Sequence, residues 1–115
     1  MFLQLGHTKL NAYQHSKALV LECYKLTINF PMQERFAMVQ QIRRAALSVH
    51  LNLAEGASRK SVAERRRFFE ISRGSVIEID TAFGIAFSLE YISMNQMNDL
   101  SKLIIITFKL LTGMI

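Results

Sequence analysis

Three long stretches of this chain carry apolar residues in steps of three and four, and that spacing constrains its fold more than any other feature. Val39, Ile42, Ala46, Val49 and Leu53 form the first stripe. Val62, Phe69, Val76, Ile79, Phe83 and Ala86 form the second, widened by Phe68, Ile71, Ala82, Ile85 and Leu89. Leu100, Leu103, Ile104, Phe108, Leu111 and Ile115 form the third, with Asn95, Asp99, Lys102 and Lys109 on its polar side. A step near 3.6 residues collects such side chains on one face of an α-helix. One proline and five glycines leave too few turn residues for an all-β fold.

Local signals set the expected boundaries. Asn11 with Gln14, Ser61 with Glu64, and Ser93 with Gln96 have the spacing of a capping box, in which two side chains satisfy the free N–H groups of a helix start. Pro31 breaks the chain after Phe30, and Gly56, followed by Ala57-Ser58-Arg59-Lys60, reads as a helix stop and loop. Helices are predicted over about 11–29, 34–56, 61–91 and 94–115, and short loops favour antiparallel neighbours. The expectation is an all-α, antiparallel up-down four-helix bundle, one domain over residues 1–115. At this length, with half the residues hydrophobic, a monomer would bury roughly two-thirds of its unfolded surface.

The third predicted helix changes character along its length. Its back begins charged, with Arg66, Glu70 and Arg73, and continues as Ile77, Gly84, Phe87 and Tyr91. The run Ala82-Phe83-Gly84-Ile85-Ala86-Phe87 is apolar almost all round. A bundle cannot cover both sides of one of its own helices, so a second copy of the chain is the expected cover.

Charge is unevenly placed. The net charge is +5, yet residues 35–73 hold nine basic and three acidic side chains. Arg59, Lys60, Arg65, Arg66, Arg67 and Arg73 cluster around the predicted start of the third helix, where free N–H groups also suit a phosphate. The same residues would equally serve as a solvated helix face. Phe68 and Phe69 are expected in the core, which leaves no aromatic platform beside these arginines.

Catalytic and metal-binding patterns are lacking. His7, His15 and His50 are far apart in sequence, and no HExxH, GxSxG, Walker-type loop or paired Glu-x-x-His is present. Cys23 is the single cysteine, which rules out an internal disulfide and a cysteine-based zinc site. His50, beside the core residue Val49, reads as a hydrogen-bonded structural group. The first residues show no charged segment followed by an apolar run, and the most apolar run, Leu103 to Ile106, is bracketed by Lys102 and Lys109. Neither a signal peptide nor a membrane span of about 20 residues is expected, and the protein is placed in the cytoplasm. Glu78 shares a face with Ile71 and Ile85 and needs a cation or hydrogen bonds. Arg43 or Arg44 is the expected partner, with Asn52 and Glu55 tying the end of the second helix to its neighbours.

Residues 41–56, QIRRAALSVHLNLAEG, resemble the QIRRAA-x-S-I-P-x-N-I-A-E-G signature of the 23S rRNA intervening-sequence proteins. The resemblance continues through Arg59, Ser61, Glu64 and Arg67-Phe68-Phe69 to Gly74-Ser75-Val76-x-Glu78-Ile79, similar to that family's GSLxELE. It also takes in Lys9-Leu10-Asn11-Ala12-Tyr13-Gln14, similar to KLxVWQ, and Phe30-Pro31. His50 and Leu51 depart from the family's proline and small residue, which removes a kink from the second helix. Tyr13 stands in place of tryptophan, Asp80 in place of glutamate, and Arg65-Arg66-Arg67 is more basic than usual.

The resemblance implies an antiparallel four-helix bundle assembling into ring-like pentamers, with no enzymatic activity attached to the family. Some members are encoded inside intervening sequences of 23S rRNA genes. A related group serves diversity-generating retroelements as basic pentamers that bind nucleic acid and a reverse transcriptase. The expected function is a non-enzymatic homo-oligomer, without metal or cofactor, that binds RNA or DNA through its basic surface. The alternative is a protein–protein adaptor or structural ring.

Overall fold

The computed structural model describes every residue except Gln4, and the side chains of the others except Thr8 and Lys9. Lys9, which opens the KLxVWQ-like segment, therefore has its side chain outside the described part. Four helices follow one another: α1 Asn11–Thr27, α2 Met38–Ser58, α3 Val62–Ser88 and α4 Met94–Met114. Short 3-10 turns at Gly6–Lys9 and Met32–Glu34 precede α1 and α2. Among the described residues there is no strand. Each helix packs on its neighbours in sequence and α4 returns against α1, the order of an up-and-down bundle. The long axis of 44 Å suits α3, whose 27 residues span about 40 Å.

The capping signals fared unequally. Ser93 and Gln96 form the full reciprocal box, with bonds of 3.0 and 3.2 Å. Ser61 Oγ accepts from the Glu64 N–H at 3.3 Å. The box expected at Asn11 does not form. The preceding 3-10 turn carries the chain to Leu10, whose carbonyl takes the Gln14 N–H at 3.2 Å, so Asn11 is already the first helical residue and Leu10, in the cap position, supplies no side-chain cap. The second helix begins at Met38 rather than 34. After Pro31 the chain makes 3-10 turns, with Glu34 N–H to Pro31 O at 2.9 Å and Ala37 N–H to Glu34 O at 3.1 Å, and Ala37 (φ −121°, ψ −98°) interrupts the helical path.

Gly56 is not a stop. It lies inside α2, buried, where a Cβ would come within 2.8 Å of Phe68 Cβ and 2.9 Å of the Phe69 ring. Its missing side chain is what lets α2 and α3 approach. The left-handed helix end is elsewhere, at Glu90 (φ 65°). There Tyr91 N–H bonds to Ala86 O at 2.9 Å and Glu90 N–H to Phe87 O at 3.0 Å. This is the double closure of a Schellman turn, built without the usual glycine.

Ile42, Val49, Leu53, Ile79 and Leu111 are fully buried, with Phe69 and Phe83 nearly so. Val62, expected in the seam of α3, is 71% exposed, because it opens the helix beyond the reach of its neighbours. Ile71, Ile85 and Leu89, expected to widen that seam, also face outward.

Candidate interaction surfaces

The polar residues of α2 divide by the direction they face. Arg43, half-buried, turns toward α1. Its Nε donates to Thr27 Oγ1 at 2.9 Å and its Nη2 to the Tyr24 carbonyl at 3.2 Å, while the guanidinium lies 4.7 Å from the Tyr24 ring centre. Arg43 thereby satisfies carbonyl and hydroxyl groups at the end of α1, as a cation at a helix C-terminus should. Arg44, one residue on, is exposed.

Neither arginine pairs with Glu78. That carboxylate is exposed and accepts from Gln41 Nε2 at 3.3 Å. It sits on the flank of α3 that faces α2, where the uncharged Gln41 is nearer than either arginine. Asn52 turns back on its own helix, donating to Ser48 O at 2.9 Å and Ser48 Oγ at 3.0 Å. Ser75 Oγ donates to that same Ser48 Oγ at 2.8 Å, so Asn52 reaches α3 only through Ser48. Glu55 binds Arg59 four residues on, the only ion pair among the described residues, and does not tie α2 to another helix. An exposed pair of this kind contributes about 0.3–0.5 kcal/mol. The buried link between α2 and α3 is Ser72, whose hydroxyl donates to the Val49 carbonyl at 2.6 Å.

His50 is a structural group. Its Nδ1 is hydrogen-bonded to the buried Ser16 Oγ at 2.7 Å, and its ring lies 4.5 Å from that of Tyr13. Burial, then the nearby Lys17 and His7, lowers its pKa from the ordinary 6.5. The Cys23 thiol is buried and pushed up to about 12, by burial first and Glu22 second. The Tyr91 O–H donates to Glu34 Oε2 at 2.9 Å, which raises its pKa. Tyr91 also packs 5.5 Å from Phe30, and so does not join the outward apolar stripe expected of it. Thr107 Oγ1 is buried without a partner. Among the described residues no three His, Cys, Asp or Glu side chains converge as metal ligands, and no helix is long and apolar enough to cross a membrane.

The basic cluster is brought together only in part. Lys60, Arg65, Arg66 and Arg67 are exposed on the loop and first two turns of α3. Arg59 is held by Glu55 and lies 5.2 Å from the ring of half-buried Phe68. Arg73 is turned toward α4, 3.3 Å from Thr112 Oγ1 and over the Phe108 ring.

Two further surfaces escaped the sequence reading. Along the outside of α2 runs an open groove of about 680 Å³ lined by Arg35, Phe36, Arg44, Leu47 and Leu51, with Tyr24 and Arg43 at its α1 edge. Its sign in the sequence is a second apolar pair, Leu47 and Leu51, off the first stripe of α2, with Phe36 in the turn before the helix. Between α3 and α4 lies a hollow of about 320 Å³ lined by Ile77, Asp80, Ile105 and Phe108, with Lys109 on the α4 side.

These features define a small all-α bundle with a basic helix start and uncovered apolar faces. Residues 8–113 match the 23S rRNA-intervening sequence protein family, and the chain belongs to that family. It is also similar in fold to a crystal structure of a protein of unknown function from the S23 ribosomal protein family of Bacteroides thetaiotaomicron. The TM-score is 0.79 at 23% identity, over 89% of this chain and 95% of that one. No curated protein matches the chain.

Proposed function

We propose that the protein is a non-enzymatic, cytoplasmic homo-oligomer that binds the backbone of RNA or DNA through the start of α3. The observation that carries this reading is the placement of Lys60, Arg65, Arg66 and Arg67. All four are exposed in the loop and first two turns of α3, and none is engaged by an acid, the one ion pair among the described residues being Glu55–Arg59. Free N–H groups and the helix dipole add to their attraction for phosphate. One such patch is modest, and a ring of copies, five by the family resemblance, would repeat it and multiply its effect. The exposed Ile77, Ile85, Phe87 and Leu89 supply apolar surface for that assembly. With Phe69 buried and Phe68 half-covered by Arg59, there is little for bases to stack on, so binding is mainly to phosphates and weakly sequence-selective.

Titration of single-stranded RNA and duplex DNA across a salt series tests the reading. Each neutralised phosphate contributes about −0.7 to the slope of log K against log salt on single strands and about −0.9 on duplex. Changing Arg66 and Arg67 to Ala should make the slope shallower and weaken binding. No binding at low salt, or binding indifferent to the two substitutions, would leave a protein–protein adaptor as the better reading, one that the exposed apolar groove on α2 favours.

A further inference from the structure

Phe68 is held from one side and covered from the other. Its Cβ lies close to Gly56 of α2, yet the residue is only half-buried, and the Arg59 guanidinium lies over its ring, 5.2 Å from the centre. Arg59 is kept there by Glu55, four residues back on α2. Arg65, three residues before Phe68 and so on the same side of α3, is exposed, as is Lys60. The ring thus lies beside Arg59 and Arg65, with Lys60 next in the chain, and Arg59 is its cover.

That cover is loosely fastened. The side chains of Arg59 and Glu55 are 42% and 48% exposed, and an ion pair so open to water is weak and screened by salt. Arg59 follows the last residue of α2 with extended backbone, so its side chain turns without disturbing either helix. A phosphate offers the guanidinium what Glu55 offers, two oxygens for a charge-assisted forked bond, and Lys60 and Arg65 add their attraction for it. A guanidinium that passes from carboxylate to phosphate leaves the outer side of the Phe68 ring bare.

We infer that Arg59 is a displaceable cover: a phosphate of a bound strand draws it off Phe68, and a base of that strand stacks on the uncovered ring. This rests on the nucleic-acid reading above and adds a preference to it, for single strands over duplex, whose bases are already stacked on one another. Stacking on a single ring tolerates any base, because every base has a π-face, so sequence selectivity stays weak. Glu55 sets the threshold, since a strand must take Arg59 from it before the ring is open.

Two ligands that differ only in their bases test the inference: an oligothymidylate and an abasic strand of equal length, titrated at low salt. The wild-type protein should bind the oligothymidylate about fivefold more tightly or better, the gain from one stacked base. Phe68→Leu keeps an apolar side chain against Gly56; it should remove that preference and leave the abasic affinity and its salt slope unchanged. Glu55→Gln frees Arg59 and should tighten binding of both strands about twofold. Asp99→Asn, the same change of charge on the exposed start of α4, should not. Circular dichroism checks that each variant folds. If Phe68→Leu does not fold, the Phe68 ring protons of the wild-type protein take its place, with resonances that should shift on adding the oligothymidylate and not the abasic strand. Equal affinity for the two strands, or a preference that survives Phe68→Leu, overturns the stacked base. A Glu55→Gln protein that binds no tighter than Asp99→Asn overturns the displacement of Arg59. Both results leave the phosphate site standing so long as binding depends on Arg66 and Arg67, and no binding of either strand overturns site and stacking together.

Discussion

The two sides of α2 are built from similar residues and behave differently. Inward, Ile42, Val49 and Leu53 are wholly buried, Gly56 admits the rings of α3, and the polar groups on the flanks each find a partner. Arg43 caps α1, His50 meets Ser16, and Ser48 meets Ser75. Outward, Phe36, Leu47 and Leu51 are exposed, and Arg44 beside them has no acid to meet. The lesson is that hydrophobicity alone does not separate core from surface in this chain. The inner side is marked by close approach and satisfied hydrogen bonds, and the outer side by apolar area and charge waiting for a partner.

The largest break in that contrast should come from Gly56→Ala. The new methyl would press on Phe68 Cβ, which is backbone-anchored and cannot swing aside. A loss of about 2–3 kcal/mol is expected, seen as a clear fall in denaturant midpoint. Gly74→Ala, where nothing lies within 4 Å, should instead gain up to about 1 kcal/mol of helix propensity.

The neighbouring arginines come next. Arg43→Ala removes two hydrogen bonds from a cation and uncovers the end of α1, and should cost about 2 kcal/mol. Arg44→Ala should change the stability of the single copy by less than about 0.5 kcal/mol. Equal losses at the two positions would mean that the inner and outer sides of α2 are not distinct in the way described.

Capping of α3 offers a gain of about 1 kcal/mol. Glu90 occupies the left-handed region with a Cβ, which costs roughly 1–2 kcal/mol relative to glycine. Glu90→Gly should raise the melting temperature by several degrees for a domain of this size. No change would show that the left-handed turn is not retained in solution.

The pH response of His50 should be the smallest of these effects. Its folded-state pKa lies below the unfolded value of 6.5, chiefly through burial, so the unfolded chain binds the proton more readily. The contribution of His50 is complete above pH 6.5 and is lost as pH falls from there through the folded-state pKa. Thermal melts between pH 8 and pH 5 should show this loss, and His50→Gln should make the profile flatter. A wild-type profile already flat would place the imidazole in water.

Much of this was legible in the sequence, because a repeat near 3.6 and a capping pair act within a few residues of one another. The four helices, the stripe of α2, the buried seam of α3 from Phe69 to Ala86 and the Ser93–Gln96 box all follow from such local rules. So did the structural role of His50 and the exposure of Arg65, Arg66 and Arg67. Family membership was legible in the 41–56 motif.

What the sequence could not decide is where distance between helices does the work. Whether Arg43 or Arg44 turns inward depends on helix rotation to within a fraction of a turn, and whether either reaches Glu78 depends on the flank that Glu78 occupies. Gly56 reads as a stop by every local rule and is instead a point of close contact, because the rings that need the space arrive from α3. The hollow between α3 and α4 is lined by residues far apart in sequence. Periodicity determined which residues share a face, and only packing decided which faces were covered, because cover comes from residues that the local spacing does not contain.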